Sequence, residues 1–288
     1  MACIEHYRSQ IEREMELYIE QMGEQNLLRD ACEYALTNGG KRLRPILVLM
    51  IADALGHGLD VLPVALGVEF FHTASLIADD LPCMDDDDMR RSRPSLHKRF
   101  GESIAILASY TLIAEGYGSI YLNCQRMKER LKFGAGADKA SLLCLESATR
   151  CAGIRGATNG QFLDLYPPDS KPETIRKIIF QKTSTLFEIS FVFGWLFGGG
   201  SVESLADVQK SAHHLGLAFQ IADDLQDASQ DASKPIQVNI VAAYGRETSE
   251  VLLEEEIELF KGSLKRLGLW NESFQQVVEW LLRLPNSV

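Results

Sequence analysis

Ile4, Tyr7, Ile11, Met15, Tyr18 and Met22 follow one another at intervals of three or four, with Glu, Arg and Gln between them. That spacing sets the apolar side chains on one face of an α-helix and the charged ones on the other. The same rhythm returns along almost the whole chain. It predicts further helices at 26–37, 43–55, 61–80, 102–124, 138–163, 172–197, 204–228, 247–266 and 271–283. Glycines and prolines punctuate them at Gly39-Gly40, Gly56–Gly58, Gly134–Gly136, Pro167-Pro168 and Gly198–Gly200. Alternating β-branched runs are scarce, and no linker-like or low-complexity segment divides the chain. The expectation is an all-α fold, one domain over residues 1–288, built as a bundle of about ten helices.

Composition narrows what such a bundle can do. A hydrophobic content of 46% supplies a sizeable core, and a net charge of −11 argues against a nucleic-acid partner, whose phosphates it would repel. A phosphate ligand would therefore need a local basic cluster or a metal. Cys3, Cys32, Cys83, Cys124, Cys144 and Cys151 form no C-x-x-C pair and read as small buried residues of a reducing compartment. The N-terminus is charged from its fifth residue and does not read as a signal peptide. The apolar runs near 104–122 and 189–200 are broken by Glu115, Gly194 and Gly198, short of the roughly 20 clean residues of a membrane span. A cytoplasmic protein without a membrane span is expected.

The charge is concentrated where a helix bundle least favours it. Six aspartates lie between Asp79 and Asp88 on the end of an apolar helix, and Ile-Ala-Asp-Asp returns at 221–224. On a helix, Asp223 and Asp227 share a face with Asp224 beside them, and like charges at that spacing destabilise it. A divalent cation would compensate. In the first stretch Asp79 and Asp80 end a helix, Pro82 bends the chain and Asp85 can return toward the same point. Carboxylate-only ligation favours hard ions, and Mg²⁺ typically completes its shell with substrate phosphates and water. Asp86–Asp88 read equally well as a solvated face. No calcium loop occurs, and the two Glu-x-x-His motifs that a di-iron bundle needs are not both present.

Basic residues complete the pattern. Lys41, Arg42 and Arg44 stand at a glycine-opened helix start, a favourable anion site, and Arg90 and Arg91 follow the first aspartates at once. Lys182-Thr183 interrupts an otherwise apolar helix. Together they suit two diphosphates, one carried by metal and one by arginine and lysine.

Gly39–Pro45, His72–Asp85 with Arg90-Arg91, Gly160-Gln161, Lys182-Thr183 and Phe219–Asp227 resemble, in order, the motifs of the trans-prenyltransferases, the family of farnesyl and geranylgeranyl diphosphate synthases. The likeness covers about residues 25–230, and the D-D-x-x-x-x-D spacing at 79–85 is similar to bacterial and plastid members. The resemblance implies an isoprenoid-synthase bundle around a central cavity, acting as a homodimer on isopentenyl diphosphate and an allylic diphosphate (dimethylallyl, geranyl or farnesyl). It implies two or three Mg²⁺ per site, Mn²⁺ being able to substitute, held by Asp79, Asp80, Asp85, Asp223, Asp224 and Asp227. Arg90, Lys182, Thr183 and Gln220 would contact the allylic diphosphate or its metals. Lys41, Arg44, His72 and Arg91 would hold isopentenyl diphosphate, with Lys234 the candidate phosphate-binding lysine after the second motif. Gln161 and Asp164 would support the site from a neighbouring helix.

Three departures from the family pattern bear on turnover. Ala78 stands where the family usually has His, Ser109-Tyr110 where it usually has Gly-Asp, and the segment after Asp227 is reduced. A weakly active or non-catalytic partner subunit is therefore one alternative, and a class I terpene cyclase another. Lys41, Arg44, Arg91 and the second D-D-x-x-D favour chain elongation over cyclisation. Product length is read from the residues before Asp79. Ser75 and Ala74 are small where shorter-chain relatives tend to place an aromatic, and Phe70 and Phe71 stand about one turn, 5.4 Å, further back. An isoprene unit adds about 5 Å of reach. That difference points to the twenty-carbon geranylgeranyl diphosphate, with fifteen-carbon farnesyl diphosphate as the alternative.

Overall fold

The computed structural model describes residues 2–130, 135–227 and 238–286. Lys234 lies outside the described residues. The chain runs through α1 (Ala2–Glu20), α2 (Leu27–Leu36), α3 (Leu43–Leu55) and α4 (Leu62–Asp79) into a hairpin of β1 (Met89–Arg90) and β2 (Arg93–Pro94). It continues as α5 (Leu96–Phe100), α6 (Glu102–Arg130), α7 (Ala135–Ala152), α8 (Ala157–Leu165), α9 (Pro172–Ile179), α10 (Thr185–Phe197) and α11 (Leu205–Asp227). It closes with α12 (Ile240–Tyr244), α13 (Arg246–Arg266) and α14 (Glu272–Arg283). The fold is all-α, as the periodicity predicts.

At its centre stands α10, every residue of which from Thr185 to Phe197 is buried. A helix apolar on all sides can only be an inner one, and α10 packs against α3, α4, α7 and α11. α4 is also long and apolar enough by composition to cross a membrane, yet 67% of that stretch is buried inside the protein, chiefly against α6 and α3. Caps follow the chemistry of the chain: Asn26, Asn239 and Asn271 each accept a hydrogen bond from a first-turn N–H of the helix that follows.

Several boundaries differ from the sequence reading. The expected helix at 138–163 is two, α7 and α8, parted at Gly153–Gly156, where the helical pattern on either side had masked the break. The helix expected at 102–124 runs on to Arg130. α5, α12 and the hairpin are too short to show a period. Between the strands, Arg91 and Ser92 both take positive φ, 52° and 64°, a two-residue turn that usually selects Gly or Asn.

The helix expected over 172–197 contains one wider turn. Residues Phe180–Ser184 form a π-helical turn between α9 and α10, and that turn carries Lys182 and Thr183. Such turns frequently mark functional sites. Two glycines let neighbours approach it. A Cβ on Gly160 of α8 would lie 2.3 Å from the Lys182 backbone nitrogen, and one on Gly216 of α11 would lie 2.6 Å from Ser184 Cα.

Gly160→Ala must therefore displace α8 or the π turn, an overpacking cost of about 1–3 kcal/mol. Its melting temperature should fall by roughly 2–10 °C. Gly136→Ala, at an exposed position in the first turn of α7 with nothing within 4 Å of an added Cβ, should hold or raise the melting temperature. Thermal unfolding followed by circular dichroism compares the two, and equal melting points would contradict the packing described.

Candidate active site

A cavity of about 910 Å³ opens beside the C-terminal end of α4. Ligand pockets commonly reach this size. Asp79, Ala78, Ser75, Ala74 and Phe71 line it from α4, and Ser109, Ile113 and Tyr117 from α6. α7 and α8 supply an opposite wall that includes Thr149, Ala152 and Gln161, and Lys182 and Thr183 enter from the π turn. Arg44 and His72 border it as well.

Asp79 is the last residue of α4, and burial pushes its carboxyl up to about 6; Lys182 draws it down and Asp85 pushes it further up. Asp85 does return toward it, its N–H donating to the Asp79 carbonyl at 2.9 Å. Lys182 Nζ sits 2.5 Å from Asp164. Burial alone would lower the Lys182 ammonium, but Asp164, Asp79 and Asp85 together hold it above its ordinary value.

The second residue of each Asp pair has another partner. Asp80 is 3% exposed and accepts from Arg90, at 2.9 Å from Nε and also from the terminal nitrogen. Arg90, expected at a diphosphate, therefore bridges Asp80 and Asp87, the latter at 3.3 Å. Asp224 is buried, with Oδ1 accepting from Gln220 at 2.8 Å and Oδ2 from the Ile240 N–H at 2.7 Å. Burial nonetheless pushes its carboxyl up to about 6. Gln220 in turn accepts from Thr183 Oγ1 at 2.9 Å, so Thr183–Gln220–Asp224 ties the π turn to α11. Asp223 is half-buried and Asp227 exposed. Burial raises the Asp223 carboxyl, Asp227 adds to it, and Lys41 and Arg44 pull against both.

The basic residues divide in the same way. Arg42, counted in the anion site on sequence grounds, is a buried structural residue. It is paired with Glu69 at 2.6 Å and Glu12 at 2.8 Å. Its neighbour Arg44 faces the cavity, where Nε has no hydrogen-bond partner and burial lowers the guanidinium to about 10. His72 contacts Arg44 at 3.4 Å through Nε2, while its Nδ1 is buried without a partner. Burial, reinforced by Arg44 and Arg91, drives the imidazole well below its ordinary value, so it is neutral at pH 7. Because Nε2 faces a guanidinium donor, the proton sits on Nδ1 and remains available to donate. Arg91 is held against the Gly39-Gly40 loop, donating to the Gly39 carbonyl. A Cβ on Gly40, at φ 116°, would strike the Arg91 guanidinium. Unpartnered buried donors cost about 1–3 kcal/mol each, so Arg44 Nε and His72 Nδ1 fit an anionic ligand.

Not every expectation converges. Phe71 lines the cavity, but Phe70 points elsewhere and packs on Tyr18 at 4.6 Å. Tyr117, which packs edge-on against Phe71 at 5.1 Å, was missed, because nothing in the 3–4 spacing of α6 sets it apart from core residues. Gln161 lines the cavity with both amide atoms unpartnered. Among the described residues, the one group of three possible ligands whose atoms meet within 4.8 Å is Asp86, Asp88 and His97, outside the two motifs. Asp88 is also paired with Lys98 at 2.7 Å.

This site defines a class of protein, and comparison with known proteins agrees. The Polyprenyl synthetase family model matches residues 25–237. The farnesyl diphosphate synthase of Geobacillus stearothermophilus is 36% identical over 245 residues, 81% of this chain and 79% of that protein. Geranylgeranyl pyrophosphate synthase 11 of Arabidopsis thaliana is 34% identical, covering 72% of this chain, which spans 57% of that relative's length. A FPP/GFPP synthase structure from Zymomonas mobilis superposes with a TM-score of 0.84 at 27% identity, over 98% of this chain and all of that one. The chain belongs to the polyprenyl synthetase family and is a trans-prenyltransferase.

A carboxyl whose folded value stands above its unfolded one near 3.8 binds its proton more tightly in the folded protein. It favours folding below the unfolded value, and that contribution is lost as pH rises through about 6. Asp79→Asn removes the charge at similar shape. Without divalent metal, the variant should melt above the wild type at about pH 7.5, and the gap should close toward about pH 4.5. A gap independent of pH would show that Asp79 is not held protonation-sensitive by burial.

Proposed function

We propose that the protein condenses isopentenyl diphosphate with an allylic diphosphate (dimethylallyl, geranyl or farnesyl) and that its main product is geranylgeranyl diphosphate. The observation that carries this reading is a single cavity with Asp79 at its rim beside two unpartnered buried donors, Arg44 Nε and His72 Nδ1. We take the chain as one polyprenyl synthetase domain over residues 1–288. Mg²⁺, two or three per site with Mn²⁺ able to substitute, would be held by Asp79, Asp85, Asp223 and Asp227, supplying charge withdrawal from the leaving diphosphate. Asp80 and Asp224, though expected among these ligands, are given a positioning role because protein donors already engage them.

Lys182 and Thr183 face the allylic diphosphate from the π turn, with Gln220 orienting Thr183. Arg44, His72, Arg91 and Lys41 hold isopentenyl diphosphate. Arg90 acts through Asp80. As the allylic C–O bond breaks, the diphosphate leaves with the electron pair and the cation is shielded by the apolar walls of α4 and α6. The isopentenyl double bond, held close by, attacks it, and proximity supplies much of the acceleration. The departing diphosphate takes the proton that is lost. A homodimer is part of the same reading, supported by exposed Tyr110 and Tyr121 on α6 and Leu142 on α7. A reducing, cytoplasmic setting suits the five free thiols among the described residues, of which four are buried as expected and Cys83 is exposed at the cavity.

The test is incubation with isopentenyl diphosphate, Mg²⁺ and each allylic starter. Turnover should require isopentenyl diphosphate, which a terpene cyclase would not need. It should fall about 10²-fold or more in Asp79→Ala and Asp223→Ala with the helical spectrum preserved. Near-normal turnover in both variants would contradict the proposal.

The cavity wall supports the twenty-carbon product. Ala74 and Ser75 leave the first turn below Asp79 open, and Phe71, buttressed by Tyr117, closes the next. The alternative, farnesyl diphosphate, requires a floor at the Ala74 level. Ala74→Tyr should shorten the product to fifteen carbons and Phe71→Ala lengthen it beyond twenty. Phe70→Ala, against Tyr18, should leave length unchanged. Chromatography of the dephosphorylated products reads all three. A wild-type product of fifteen carbons would assign the floor to another element.

A further inference from the structure

Two of the three cations of the Lys41–Arg44 segment, Lys41 and Arg44, rest on aromatic rings. Lys41 Nζ lies 4.9 Å from the centroid of Trp280 and 6.0 Å from that of Phe219. Arg44 Cζ lies 4.5 Å from the centroid of Phe187. The rings form a continuous row, with Phe187 to Phe219 at 5.4 Å and Phe219 to Trp280 at 6.1 Å. Phe187 belongs to α10 and Phe219 opens the second Asp motif on α11, whereas Trp280, on α14, lies far in sequence from every motif of the site.

The row answers a problem that the acidic motif creates. Lys41 is exposed, on a flexible stem, and its charge reaches the Asp223 carboxyl. Closure of the ammonium onto that carboxylate would remove a charge from each half of the site at once. Among the described residues Lys41 has no carboxylate within 4.0 Å; its ammonium lies over the indole instead. A π face attracts an ammonium without neutralising it and takes up none of its N–H donors in a directed bond. We infer that Trp280 is a positioning residue for Lys41, its ring holding the ammonium away from Asp223 and presenting it to the isopentenyl diphosphate. The inference rests on the reading of the second anion site given above.

The test is steady-state kinetics in which each substrate is varied separately, on Trp280→Leu, Trp280→Phe, Lys41→Ala and the Lys41→Ala/Trp280→Leu double variant. Loss of one partly exposed cation–π contact should raise KM for isopentenyl diphosphate roughly three- to tenfold in Trp280→Leu. KM for the allylic substrate should move less than about twofold. Trp280→Phe should recover most of the loss, and Trp280→Leu should add little to Lys41→Ala. Thermal melts accompany each variant, and Trp280→Met serves as the non-aromatic replacement if Leu loosens α14. An unchanged KM in Trp280→Leu beside a raised one in Lys41→Ala would overturn the inference alone. So would full additivity in the double variant, or a parallel change in both KM values and kcat. If Lys41→Ala itself leaves KM for isopentenyl diphosphate unchanged, the assignment of Lys41 to the anion falls, and the inference with it.

Discussion

Adjacent residues on a helix point about 100° apart, so an Asp-Asp pair at a helix end cannot offer both carboxylates to one ligand equally. The protein uses this twice. Asp79 faces the cavity while Asp80 turns inward to Arg90. Asp223 faces Lys41 and Arg44 while Asp224 turns inward to Gln220 and the N–H of Ile240. The inward carboxylate fixes the outward one, because each is a satisfied buried group whose displacement would leave unpaired donors behind. Through Arg90 the first anchor orders the hairpin that carries Arg91. Through Ile240 the second orders the start of α12. Both halves of the active site therefore hang on two buried aspartates.

The π turn at Phe180–Ser184 is the third fixed point. It carries Lys182 to Asp164 and Thr183 to Gln220, so one irregular turn joins the walls of α8 and α11 to the rim of the cavity. A regular α-helical turn would rotate these side chains around the axis of α10 and part at least one of them from its partner. Gly160 and Gly216 stand on either side because only a residue without a Cβ lets both helices close on that turn. The irregularity and the glycines are one feature, although they are far apart in sequence.

What the sequence makes legible follows from the range of each interaction. The helices from Ile4 to Trp280, and the pairing of Asp223 with Asp227, rest on spacing within one element, which periodicity reads directly. Arg42 and Arg44 cannot be told apart that way. Both follow Gly39-Gly40, and only tertiary packing sends Arg42 to Glu12 and Glu69 and Arg44 to the cavity. The same holds for Phe70 and Phe71, which the crossing of α4 with α1 and α6 sends to opposite sides. Trp280 gave no signal, since a tryptophan on an amphipathic terminal helix is ordinarily core. The split of 138–163 into α7 and α8 was hidden because helical pattern runs up to Gly153 on one side and resumes after Gly156 on the other, and the break between them is short.

The electrostatics of the site connect these placements to function. Burial pushes Asp79 and Asp224 up to about 6, drives His72 far down and lowers Arg44 to about 10. In each case the shift is toward the neutral form, the expected cost of gathering charges in a poorly hydrated space. The overall charge of −11 gives no field to attract a diphosphate. Affinity must therefore come from local compensation. A cation beside Asp79 and Asp223 and an anion beside Arg44 and His72 each restore the charged state that burial disfavours. Because these acidic and basic groups lie within electrostatic reach of one another, as Asp223 and Arg44 do, occupation of one side improves the other. On the proposed reading, a site strained in this way would bind metal and both diphosphates better together than singly, as a condensation between two anions requires.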